Sequence, residues 1–219
     1  MTPTLTPLLQ VQNLCFAHPG QAPLALGWSA SVGAGVTLLF GDTGSGKTTL
    51  LRLLAGTLAG EGVLSVAGVH LHHDAAAYRR SVFWFDPAVA APAGDALTPG
   101  EHAAALRAAH PNFDAAAWQR HANAFGLGPH WHKPLYQLST GSKRKVWLAA
   151  ALASGCPLTL LDEPAGALDG PSVAYLKHAL ADVADEPHRA VLVASSERLA
   201  GVPLAGVIEL PLEIGRAHV

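Results

Sequence analysis

The residues with the clearest chemical potential form one run, Gly41-Asp42-Thr43-Gly44-Ser45-Gly46-Lys47-Thr48-Thr49. It fits the pattern G-x-x-x-x-G-K-[ST], whose glycines let successive backbone N–H groups turn inward around an anion. A Lys47 ammonium there would neutralise the β- and γ-phosphates of a triphosphate nucleotide, and the Thr48 hydroxyl would hold Mg²⁺. The bland alternative is a glycine turn with an incidental lysine. It loses weight because an apolar run, Val36 to Phe40, precedes the loop and a leucine-rich helical pattern follows it.

A second run, Leu158-Thr159-Leu160-Leu161-Asp162-Glu163-Pro164, reads as a buried strand ending in two carboxylates. Asp162 is placed to serve the Mg²⁺ shell, and Glu163 to orient or deprotonate an attacking water. Strand ends often carry acids, so this run draws its meaning from the phosphate loop before it. Between the two lies Leu138-Ser139-Thr140-Gly141-Ser142, followed by Lys143-Arg144-Lys145 and a helical pattern. Serine and glycine before a helix form another anion-binding terminus. Taken alone the segment is equally a simple cap, with Ser139 or Ser142 capping the helix and the basic residues in solvent.

These groups need elements to hold them. Residues 8–17 read as a strand, and residues 29–40 contain two apolar runs split by Gly33 and Gly35, so that a turn feeds a strand from Val36 to Phe40. In TTLLRLLAGTLAG, Leu50, Leu51, Leu53, Leu54 and Leu58 fall on one helical face. GVLSVAGV and SVFWF are short strands. From about Asp86 the composition shifts, and residues 87–135 hold alanine-rich helical segments (EHAAALRAAH, AAAWQRHANAF) between proline and glycine breaks. A helix over 142–154, a strand Leu158–Leu161, a helix over 171–185, a strand Ala190–Ala194 and a last strand near 206–210 follow. Strands alternating with helices predict an α/β fold with a mostly parallel sheet covered on both faces.

Composition narrows the function classes. Of the 219 residues half are hydrophobic and only 14% charged, with a net charge of −2. That balance excludes a broad basic face, so no nucleic-acid partner is expected. So few charges on a half-apolar chain point instead to a protein partner surface. The two cysteines, Cys15 and Cys156, form no disulfide framework and read as reduced thiols. No secretory signal is expected in MTPTLTPLLQ, and no apolar run reaches the roughly 18 residues that would cross a bilayer. Twelve histidines invite a metal reading, but the densest group, His70-Leu71-His72-His73, has no carboxylate or cysteine at ligand spacing and reads as a solvated turn.

The ordered set resembles the nucleotide-binding subunit of ATP-binding cassette (ABC) transporters over essentially the whole chain. Gly41 to Thr49 is similar to Walker A, Leu158 to Glu163 to Walker B, and Leu138 to Ser142 to the signature L-S-G-G-Q, with Thr140 and Ser142 as departures. Ala167-Leu168-Asp169 resembles the D-loop. Size alone makes the chain similar to compact exporter cassettes such as the cytochrome c maturation haem-exporter ATPase. The resemblance implies a P-loop NTPase with a RecA-like core, an antiparallel β edge and an inserted α-helical subdomain. One domain spanning 1–219 follows, its core at 1–86 and 136–219 and its helical subdomain at about 87–135. It implies ATP and Mg²⁺ as cofactors, and a head-to-tail homodimer or heterodimer of cassettes. ATP would lie between Walker A of one subunit and Ser139, Thr140 and Gly141 of the other. It also implies a membrane-spanning transporter subunit that keeps the chain cytoplasmic and peripheral on the inner face of the cell membrane.

Three positions depart from that family. His18, with Phe16 nearby, stands where an aromatic residue stacks on adenine. Asp86 replaces the glutamine that reaches Mg²⁺ and the attacking water, and Ser196 replaces the switch histidine. A serine hydroxyl can bond the γ-phosphate but brings no cation to developing charge. With Glu163 present, ATP binding with slow hydrolysis is expected. The alternative is a nucleotide-gated binding module with little or no hydrolysis. A cassette acting on DNA or ribosomes would be expected to carry coiled-coil insertions or tandem cassettes, and a small-molecule kinase would leave LSTGS and ALD without a role.

Overall fold

The computed structural model describes residues 7–84, 95–184, 186–212 and 217–218. Two five-stranded sheets carry the fold. The first contains β1 (Leu9–Phe16), β2 (Ala25–Val32), β4 (Glu61–Val66), β5 (Val69–His70) and β10 (Ala217–His218) in the order β10-β2-β1-β4-β5. It is antiparallel except where β10 runs parallel to β2. The second is wholly parallel, in the order β6-β7-β8-β3-β9: β6 (Val82–Trp84), β7 (Leu158–Asp162), β8 (Ala190–Ser195), β3 (Gly35–Phe40) and β9 (Gly206–Glu209). The expected parallel sheet and antiparallel edge are therefore both present, the edge as a full second sheet.

Register in the parallel sheet places the chemistry. Phe40 pairs with Ser195, and Asp162 pairs with Ala194, so β3, β7 and β8 end at one level. The phosphate loop, the acidic pair and Ser196 leave the sheet side by side, at the carboxyl edge where open α/β sheets bind ligands.

Helix α1 (Lys47–Leu54) lies between the sheets with Leu50, Leu51, Leu53 and Leu54 fully buried. Strand β8 serves both cores by alternation: Leu192 and Ala194 face α1, while Val191 and Val193 face the helical layer. That layer consists of α3 (Pro99–Ala109), α4 (Ala115–Ala124), α5 (Thr140–Ala153) and α6 (Gly170–Val183), with α5 packed on both α3 and α4. At the far end of α5, buried Arg189 donates to the Ala151 and Leu152 carbonyls at 2.7 and 2.9 Å, last-turn groups that lack the usual i+4 N–H partner, although Ala151 also accepts the Ser154 N–H at 3.3 Å.

Several elements differ from their sequence pattern. Helix α1 stops at Leu54, because Gly56 takes a left-handed φ of 67° and closes it, which leaves Leu58 beyond the helix. GVLSVAGV is a hairpin: Ala67 and Gly68, with φ of 48° and 81°, turn β4 into β5. Helix α2 (Ala75–Arg80) was not anticipated; Asp74 caps it by accepting from the Ala77 N–H at 2.8 Å, and buried Tyr78 donates to the Leu54 carbonyl. Strand β2 begins at Ala25, four residues before the apolar run that marks it, its start disguised by exposed Leu26 and by Gly27.

The helical layer also carries an acid-sensitive group. His102 on α3 is buried with its ring 4.2 Å from Trp147, and burial pushes its imidazole down to about 4. Its Nε2 has no hydrogen-bond partner among the described residues. An unfolded chain binds that proton near 6.5, so the contribution is complete above that pH and is lost as pH falls towards 4. Urea unfolding is expected to show a loss of up to about 2 kcal/mol from this group between pH 7 and 5. His102→Leu is expected to shrink the difference between the two pH values by that amount.

Candidate nucleotide site

At the carboxyl edge of the parallel sheet lies a cleft of about 410 Å³. Its lining comes from Thr43, Gly44 and Gly46 of the loop before α1, from Lys47, Thr48 and Thr49 of the first turn of α1, from Asp162 and Glu163 at the end of β7, from Ser196 after β8, and from Arg144 of α5. Gly46 turns the loop into the helix with φ of 100°, and an added Cβ would lie 2.4 Å from a Leu24 methyl. Only glycine admits that close, left-handed turn. The amino end of α1, with its unpaired N–H groups, therefore opens on the cleft. The Ser45 hydroxyl is buried there with no partner among the described residues.

Lys47 is almost completely buried. Its ammonium donates to the Gly41 and Asp42 carbonyls at 2.7 and 2.9 Å and lies 3.2 Å from Glu163 Oε1. Asp42 thus contributes its backbone to the loop. The Thr48 hydroxyl donates to Asp162 Oδ2 at 2.5 Å. Burial pushes the Asp162 carboxyl above its ordinary range, the Thr48 bond opposes this, and the neighbouring Glu163 charge adds to it. Glu163 stands at a left-handed φ of 42°, donates its N–H to the Ala194 carbonyl at 2.9 Å, and accepts the Ser196 N–H on Oε1 at 3.0 Å.

His18 sits at the edge of this assembly, with Nε2 3.4 Å from Thr49 Oγ1 and its ring edge-on to Phe16 at 5.0 Å. Ser139, Thr140 and Gly141 do not line the cleft; Ser139 caps α5 by accepting from the Ser142 N–H at 3.1 Å. Asp86 lies outside the described residues.

Sequence reasoning missed Arg144. The basic run was given no role beyond solvated residues after a simple cap, the alternative reading of that segment, yet Lys143 pairs with Asp95 at 2.9 Å, Lys145 pairs with Asp169 at 2.6 Å, and Arg144 Nη1 donates to the Glu163 carbonyl at 2.6 Å. The Lys145 and Ser172 bonds hold the Asp169 carboxyl far below the usual carboxylate range. No local signal marks these pairings, because each partner comes from a distant part of the chain.

A phosphate loop between a parallel strand and a helix, facing acids at the end of β7, one strand removed across β8, defines a P-loop NTPase. The family model described as ABC transporter matches residues 28–166, more than half of the chain, and the protein belongs to the ABC transporter family as an ATP-binding member. The chain is 41% identical over 143 residues to the cytochrome c biogenesis ATP-binding export protein CcmA of Pseudomonas fluorescens. That match covers 64% of this chain and 66% of the relative, so the aligned stretch spans just under two thirds of the relative's length. With the protein of the same name from Paramagnetospirillum magneticum the identity is 35% over 214 residues, 92% of each chain. A solved ATP-binding subunit of an ABC transporter shares the fold, with a TM-score of 0.72 at 23% identity over 85% of this chain and 79% of that one.

Proposed function

We propose that this single-domain chain hydrolyses ATP to drive a membrane-spanning export partner, held by that partner at the inner face of the cell membrane. The observation that carries this reading is the convergence of Lys47, Thr48, Asp162 and Glu163 on one cleft at the amino end of α1. The names of the relatives support export, and no helix among the described residues is long and apolar enough to cross a membrane. The transport path then belongs to the partner.

The residues present fit Mg²⁺. Thr48 and Asp162 bring two hard oxygen donors together, and a carboxylate burdened by burial gains from a cation beside it. When bound, the ion would supply charge neutralisation across the β- and γ-phosphates. Asp86 belongs to the same proposed shell. The loop N–H groups and Lys47 bind the phosphates, and His18 stands where it stacks on the base. Glu163 takes the proton of an attacking water, oriented by the Ser196 N–H on its Oε1. Ser139, Thr140 and Gly141, pointing elsewhere than this cleft, complete the site of a second cassette, so that ATP closes the dimer.

Ser196 offers no cation, and the lack of one preorganised donor costs about 10²–10³ in rate. Ser196→His is expected to raise kcat at least about tenfold, below that ceiling. A native chain already turning over as fast as this variant would refute the slow-hydrolysis reading. The same serine favours the second reading, a nucleotide-gated module with little hydrolysis. The export reading is tested by purification from detergent-solubilised membranes: a multi-span protein is expected to copurify and to stimulate ATPase activity, and a chain that is recovered alone and unstimulated contradicts it.

A further inference from the structure

We propose that Arg144 is the positioning residue of the hydrolytic base, fixing the Glu163 peptide through its carbonyl. The inference rests on the reading of Glu163 as that base. With φ of 42°, Glu163 occupies a backbone conformation that a residue with a side chain holds only when its surroundings over-determine it. Its N–H is fixed to Ala194 on β8. Its carbonyl accepts from Arg144 Nη1 at 2.6 Å and, among the described residues, from the Gly166 N–H at 3.1 Å. Rotation of that peptide would swing the carboxylate away from Ser196 and from the cleft.

The chain makes room for this contact at Gly166. A Cβ there would lie 2.6 Å from Arg144 Nη1 and 3.6 Å from Cζ, and the residue's φ is outside the left-handed region. Close approach of the guanidinium, rather than the backbone angle, is what glycine permits. Arg144 reaches this point from α5, while Glu163 hangs from β7, so the bond ties the helical layer to the end of the catalytic strand. The guanidinium also borders the cleft, as Asp162 does. A charged donor makes a shorter, stronger bond to a carbonyl than a neutral one, and a planar guanidinium holds its direction.

Two substitutions break the contact from opposite sides. Arg144→Gln removes the cation, whereas Gly166→Ala keeps it, pushing aside the flexible guanidinium end and crowding the Glu163 carbonyl itself at 3.3 Å. Each is expected to lower the single-turnover rate of the purified chain about tenfold to a hundredfold, as expected for a misplaced reacting group. Binding of a fluorescent ATP analogue is expected to stay within about twofold, and Arg144→Lys to recover part of the rate. The double variant is expected to be no slower than the slower single one, because one interaction is lost in both. In nucleotide-free Arg144→Gln the Gly166 amide is expected to exchange hydrogen about tenfold faster, since its acceptor is loosened. Unchanged turnover in either single variant, multiplying losses in the double, or ATP affinity falling in step with rate would each overturn the proposal. Glu163→Gln, assayed alongside, separates the two layers. If it keeps the native rate, the base reading falls and takes Arg144 with it; if it loses turnover while the Arg144 and Gly166 variants keep theirs, positioning alone is wrong.

Discussion

Lys47→Ala is expected to weaken ATP binding by about tenfold to a hundredfold. Lys47 provides the buried ammonium of the phosphate loop, and charge-assisted hydrogen bonds contribute about 1.5–3 kcal/mol each. With two of its three N–H groups held by the Gly41 and Asp42 carbonyls, the ammonium has one left for a phosphate oxygen, and loss of that bond is about 1.5–3 kcal/mol, roughly one to two decades in affinity. The substitution also takes the ammonium from the Gly41 carbonyl and from the Asp42 carbonyl, which keeps only the Ser45 N–H at 3.1 Å, so the loop that aims the N–H groups loosens as well. Calorimetric titration with ATP and magnesium checks this, and retained native affinity would remove the foundation of every role assigned to the cleft.

Glu163→Gln is expected to leave ATP binding in place and lower turnover by about 10²–10⁴, the range that a positioned general base supplies. The amide keeps the shape of the side chain, and its oxygen can still accept the Ser196 N–H that now reaches Oε1 at 3.0 Å. It cannot take a proton from water. Phosphate release under single-turnover conditions measures the effect. A rate equal to that of the native chain would leave the nucleotide-gated module as the surviving reading.

What was legible in the residues was local. The phosphate loop and the Asp162-Glu163 pair announce themselves because their chemistry depends on neighbours in sequence, and the apolar runs of β3, β7 and β8 follow from burial on both faces. What was hidden depended on distant partners or on backbone angles. Nothing near Arg144 tells that Glu163 will present a carbonyl to it, and nothing near His18 tells that Thr49 lies within 3.4 Å. Likewise the GVLSVAGV pattern reads as one strand until Ala67 and Gly68 adopt positive φ. The three basic residues opening α5 look like a solvated stripe, yet each one meets a group that only the folded chain delivers.

The Lys47–Glu163 pair joins the phosphate loop to the end of β7 inside the cleft. One ammonium faces two suitors: the resident carboxylate at 3.2 Å and the incoming phosphate tail. On the roles proposed above, a triphosphate tail would compete with Glu163 for that ammonium, and its apparent affinity would be reduced by the modest attraction it displaces. The same exchange would free the carboxylate from the ammonium and leave it on the Ser196 N–H, so that the proposed base would be armed by the nucleotide it acts on.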